Sequence, residues 1–188
     1  MLKNFRCPNC TLPETEIYCP LAIHLCGIIG LFGNFFSYDK VDLLISTEER
    51  EYNKITSMQS AISSFMGVIM VSSGCPIMGR LKPMVKFHLP FSTLEETQYR
   101  VLSIYLLAQY FKWENGQEAD WEMKELTVIY EDNRTVNLNI SKKIADQGMK
   151  DACVNSVVIL NNFADYISLN LDDNTLQEIE RLFIDYLK

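Results

Sequence analysis

All six prolines of this 188-residue chain fall within its first 90 residues, at positions 8, 13, 20, 76, 83 and 90. Proline locks φ and removes a backbone donor, so helices are confined to the stretches between prolines. After Pro90 nothing of the kind interrupts the chain, and the second half is predicted to be a nearly continuous run of helices. The first half must turn often. Together the halves predict one domain over 1–188, mostly α, with a cysteine-rich lobe at 1–56 and a helical body at 57–188.

Local signals place the elements. Pro20 suits the first turn of a helix running to about Phe36. Val41 to Thr47 and Arg50 to Ile55, rich in β-branched and aromatic residues around Glu48-Glu49, predict one small β-hairpin. Ser57 caps a helix to about Ser73, which Gly74 ends. Thr93-Leu94-Glu95-Glu96 matches a capping box for a helix to about Trp113, with Glu96 and Arg100 spaced for an ion pair. A turn at Asn115-Gly116 leads to a helix near 119–147 that stops at Gly148. Another spans about 150–167, and Asp173 or Asn174 caps a last one from about 175 to 187. The expected fold is a bundle of about six helices with one hairpin, α+β in class, behind a cysteine-rich N-terminal loop. Gly27, Gly30 and Gly33 on the first helix, and Ser60, Ser64, Gly67 and Val71 on the second, predict that these two cross closely. The competing reading of the same small residues is a ligand cleft.

Composition excludes some function classes. A net charge of −7 opposes nucleic-acid binding, which needs a basic face. Arg80, Lys82 and Lys86 read as a solvated loop. The uncharged stretches 20–38 and 55–79 are interrupted by His24 and Asn34 and by serines, so they read as core helices rather than membrane spans. The opening residues MLKNFRCPNC contain no apolar signal segment. A cytoplasmic location and reduced thiols are therefore expected, and cysteine groups then point to metal or redox chemistry.

Three of the six cysteines stand directly before proline, at Cys7-Pro8, Cys19-Pro20 and Cys75-Pro76. Cys7 and Cys10 have the Cys-x2-Cys spacing by which one turn supplies two ligands of tetrahedral zinc. Cys19 sits at the expected helix cap, where the dipole favours a thiolate. Cys26 lies about 10 Å further along that helix at about 1.5 Å per residue, and His24 points to another face. Cys75 leaves a rigid turn, and His88 sits in an extended Phe-His-Leu-Pro segment. The expected metal ligands are Cys7, Cys10, Cys19 and Cys75, with His88 as a competing fourth ligand or a supporting partner. Zinc fits best, ahead of an iron–sulfur cluster or haem. Cys153, at helical spacing with Ala152, Ser156, Val157 and Leu160, reads as a passive core thiol.

Other chemistry finds less footing. No strand precedes Cys7, which argues against thioredoxin-like exchange. A Cys75/His88 nucleophile–base pair in an inter-helical pocket is the alternative, enzymatic reading. Tyr105, Gln109 and Tyr110 read as a satisfied core polar network, with a pocket lining as the competing reading, and no phosphate loop, nucleophile elbow or zinc-protease helix is present. The leading reading is a non-enzymatic protein with a structural metal site, acting through a protein partner or as a homodimer through its first half.

The ordered strings C-P-N-C, Y-C-P-L-A, S-Y-D-K-V-D, T-E-E-R-E-Y, S-S-G-C-P, L-K-P-M-V-K-F-H-L-P-F and Y-L-L-A-Q-Y-F resemble a family of uncharacterised bacterial proteins. The resemblance spans nearly the whole chain. It implies that Cys7, Cys10, Cys19, Cys75 and His88 belong to the family pattern and that Cys26 and Cys153 do not. It also implies a β-rich segment ahead of the first cysteine pair, so this chain is expected to be a short or truncated member. No activity follows from it.

Overall fold

The structure, a computed structural model, describes residues 5–169, 177 and 179–187. Cys19 caps helix α1 (Pro20–Phe32), and Pro20 occupies its first turn. The helix ends at Phe32 rather than near Phe36 because its exit is engaged by a distant segment. The Gly33 carbonyl accepts the Lys150 N–H at 3.0 Å, and the Phe35 carbonyl accepts the Ala152 N–H at 3.3 Å. Asp151 fastens the same junction, accepting from the Ser37 N–H at 2.8 Å and from its hydroxyl at 2.9 Å.

Strands β1 (Lys40–Ser46) and β2 (Glu51–Ser57) form an antiparallel hairpin with Lys40 opposite Ser57 and Ser46 opposite Glu51. Val41, Leu43 and Ile45 alternate with exposed residues and turn one face of β1 inward, the period-two pattern of a half-buried strand. Helix α2 (Met58–Ser72) follows directly and buries Met58, Ile62, Met66 and Met70. Gly74 supplies the left-handed turn after it, at φ +90°. The proline-rich connection that follows contains a 3-10 turn (Met78–Leu81) and a short helix α3 (Pro83–Lys86), neither of which its prolines signalled.

Helix α4 (Leu94–Glu114) opens with the complete capping box of Thr93 and Glu96. Because the Glu96 carboxylate accepts the Thr93 N–H at 2.7 Å, it does not make the expected ion pair with Arg100. Helix α5 (Lys124–Ala145) starts later than position 119, with Met123 left-handed at its cap. The chain there is held by Asp120, which accepts from the Tyr105 hydroxyl at 2.6 Å and the Glu125 N–H at 2.7 Å. Its own N–H donates to buried Gln109 at 2.9 Å. Tyr105 and Gln109 are thus tied into a polar network, whereas Tyr110 is exposed beside Phe111 and Trp113 and falls outside the expected core network. Gly148, at φ +66°, turns the chain into α6 (Ala152–Leu169). The caps proposed at Asp173 and Asn174 lie outside the described residues.

Helix α6 packs along both α5 and α2, and α1 packs on α2 as well, but not through the expected ridge of small residues. The tight approach at Gly67 is to Leu160 of α6, and open space surrounds Gly27 and Gly30. One core joins Phe5, Cys7 and Cys19 to α1, α2, α5 and α6, while a smaller core gathers Val101, Leu102, Tyr105, Leu126, Tyr130 and Ile167. Among the described residues no helix is long and apolar enough to cross a membrane.

Candidate functional site

Three chain segments meet where α1 begins and α2 ends. The Cys7–Cys10 turn closes through the Cys10 N–H, which donates to the Cys7 carbonyl at 3.0 Å. Arg6 folds the following loop back by donating to the carbonyls of Leu12 at 2.9 Å, Pro13 at 2.6 Å and Glu16 at 2.8 Å, which returns the chain to Cys19. The turn after α2 abuts Pro20, since a Cβ at Gly74 would sit 3.8 Å from the Pro20 Cβ. Cys75 is pinned there by its N–H to the Ser73 hydroxyl at 3.3 Å, and its carbonyl starts the 3-10 turn by accepting the Gly79 N–H at 2.8 Å. Asp132 of α5 clamps both sides of this junction. Asn9 donates to its carboxylate at 3.0 Å and to its carbonyl at 3.1 Å, and Arg80 pairs with the carboxylate at 3.2 Å.

Cys7, Cys19 and Cys75 are buried and Cys10 is half-buried against the same core. The four are close enough to repel one another as thiolates. Burial, then Cys19, Cys75 and Cys10 in that order, push the Cys7 thiol up to about 12. Cys19 is also raised, chiefly by burial, with Cys75 and Cys10 adding to it; the amides of Ala22 and Leu21 at the helix start act in the opposite direction. All four cysteines are free thiols. As placed they do not form a coordination sphere, because among the described residues no three or more His, Cys, Asp or Glu side chains are set to hold a metal ion. In kind and number the donors fit a tetrahedral thiolate metal, which prefers four sulfur or nitrogen ligands.

His88 stands elsewhere. Its Nε2 lies 3.0 Å from the Ser64 hydroxyl, and Ser64 is about 12 Å from the Cys75 end of α2 at about 1.5 Å per residue. Burial, then Arg100, lower its pKa. The structure therefore brings Cys7, Cys10, Cys19 and Cys75 to one junction and places His88 at Ser64, further back along α2. His24 is exposed and bonded to the Pro20 carbonyl at 2.8 Å. Cys26 is half-buried on α1, and Cys153 is fully buried in the main core. Sequence reasoning missed Arg6, Asn9 and Asp132. Arg6 and Asn9 flank or lie within C-P-N-C and carried a local signal, whereas Asp132 arrives from a remote helix and carried none.

No curated protein and no solved structure matches this chain. A family model does match it, over residues 1–184, under the description domain of unknown function (DUF6901). That covers nearly the whole sequence, and the chain belongs to the DUF6901 family.

Proposed function

We propose that the protein is a metal-stapled helical domain in which Cys7, Cys10, Cys19 and Cys75 hold one structural zinc ion. One observation supports the reading: four cysteines from three separate segments gather at a junction that also carries a Cys-x2-Cys turn and a helix start. Zinc would take the thiols as thiolates and offset the burial, and the neighbouring sulfurs, that raise Cys7 and Cys19. The ion would then tie the N-terminal loop to the ends of α1 and α2, the part of the fold with the least regular structure. With His88 apart from the cysteines, nothing favours catalysis at this junction. The first half exposes Ile23, Leu31, Leu44 and Ile55, which supports action through a protein partner or a second copy.

Thermal unfolding with and without a strong chelator tests the proposal. Chelation is expected to lower the midpoint and release thiols to a colorimetric reagent. An unchanged midpoint, with all thiols equally reactive before and after, would refute it.

A further inference from the structure

Two cavities adjoin at Ser64, Val68 and His88, on the face of α2 turned toward the hairpin and α4. The first, of about 510 Å³, is lined almost wholly by apolar groups of β1, α1 and α2, with Ser64 and His88 as its polar members. Interiors of folded domains are close-packed, with few voids larger than a water. This one is an apolar groove open to solvent on one side, and its size lies in the range of ligand pockets, about 300–1,000 Å³. The second cavity, of about 360 Å³, has a different chemistry. Lys54 and Arg100 line it together with Ser60, Ser63, Ser92 and Thr97, and neither Asp nor Glu does. In a chain of net charge −7, that is a local reversal of sign.

Arg100 is the informative residue. It is partly buried, and its Nε is enclosed without a hydrogen-bond partner. Its Nη1 makes only long contacts, 3.4 Å to the Phe87 carbonyl and 3.4 Å to the Ser92 hydroxyl. Glu96, the nearest acidic residue in register, is committed to the α4 cap. Glu96 acts on the guanidinium through space but makes no hydrogen bond to it; a partly buried guanidinium left short of acceptors is costly, and an anion in the cavity would supply them. Lys54, held 5.3 Å over the Phe91 ring, adds a second cation to the lining.

We propose that these joined cavities form one binding site for an amphipathic carboxylate of the fatty-acid class. Its hydrocarbon tail fills the space under β1, and its carboxylate meets Arg100 and Lys54. The short side chains of Ser60 and Ser64 on α2 lie where tail passes to head. The inference is independent of the thiol junction and of any metal there.

Calorimetric titration of the full chain with monomeric dodecanoate tests this, with dodecylammonium and dodecanol as controls and vesicles of phosphatidylglycerol and phosphatidylcholine as a further arm. Dodecanoate should bind at one site per chain, dodecanol more weakly and dodecylammonium not measurably. Arg100→Gln should weaken dodecanoate by about tenfold or more, as for a lost hydrogen bond to a charged group. Ala61→Trp, which fills the apolar cavity, should abolish binding while circular dichroism stays native. If it does not stay native, Ser64→Leu at the neck is the second blocking variant, with the same expected loss. Equal binding of dodecylammonium, indifference to Arg100→Gln, no binding of dodecanoate, or binding only to vesicles would overturn the proposal.

Discussion

The three glycines of α1 should respond in opposite directions to one substitution. Gly27 and Gly30 are exposed, and a Cβ at either would meet nothing within 4 Å. Alanine there removes the conformational cost of glycine in a helix, so each change should stabilise by about 0.5–1 kcal/mol. Gly33 is buried at the end of the helix, where a Cβ would run into the Met149 sulfur and come to 2.6 Å from the Ile29 carbonyl. Met149 is flexible and can give, but a backbone carbonyl cannot move without disturbing the last helical turn. Overpacking of this kind costs about 1–3 kcal/mol. Each kcal/mol moves the midpoint by about 2–4 °C in a chain of this size. Thermal unfolding of Gly27→Ala and Gly33→Ala under identical conditions should therefore give a rise of a few degrees and a fall of a few degrees. A loss at Gly27 as large as that at Gly33 would refute the packing described, and would mean that the outer face of α1 lies against another surface.

Other outcomes follow from single side chains. Cys153 is 0% exposed, and burial pushes its thiol up to about 11, so thiol reagents should leave it unlabelled until the protein unfolds; rapid native labelling would contradict this. His88, half-buried near the cation Arg100 and bonded to Ser64, has a pKa lowered from 6.5, first by burial and then by Arg100. The unfolded chain therefore binds the proton first, and the stability tied to neutral His88 is present above about pH 6.5 and lost as pH falls through the lower folded value. Unfolding of the wild type and His88→Gln between pH 7.5 and pH 5 should show a shallower acid-side decline in the variant, and parallel curves would exclude the effect.

What the sequence disclosed was what is local. The Thr93–Glu96 capping box was legible because both partners lie within one turn, and the hairpin because its two β-branched and aromatic runs stand side by side around Glu48-Glu49. Proline spacing separated the turning half from the helical half. What it concealed depends on remote partners. Glu96 and Arg100 have ideal spacing for an ion pair, yet the cap takes the glutamate first and leaves Arg100 to the cavity. The glycine row of α1 suggested a helix crossing, but only Gly33 is closely approached, and by the loop before α6. His88 shared the cysteines' proline-rich neighbourhood in sequence, and the path of the chain back along α2 carried it to Ser64. Helix spacing did help with the cysteines. It set Cys26 aside and pointed to Cys75, whose meeting with Cys19 depends on where the end of α2 falls.

Metal content measured against cysteine identity bears most directly on the thiol junction. Protein purified without tags or chelators should contain one zinc per chain by elemental analysis. Cys10→Ser and Cys75→Ser should each lose most of it, while Cys26→Ser and His88→Gln should retain it. A wild type free of zinc, or zinc that survives in Cys10→Ser and Cys75→Ser alike, would contradict the assignment of these four thiols to a metal.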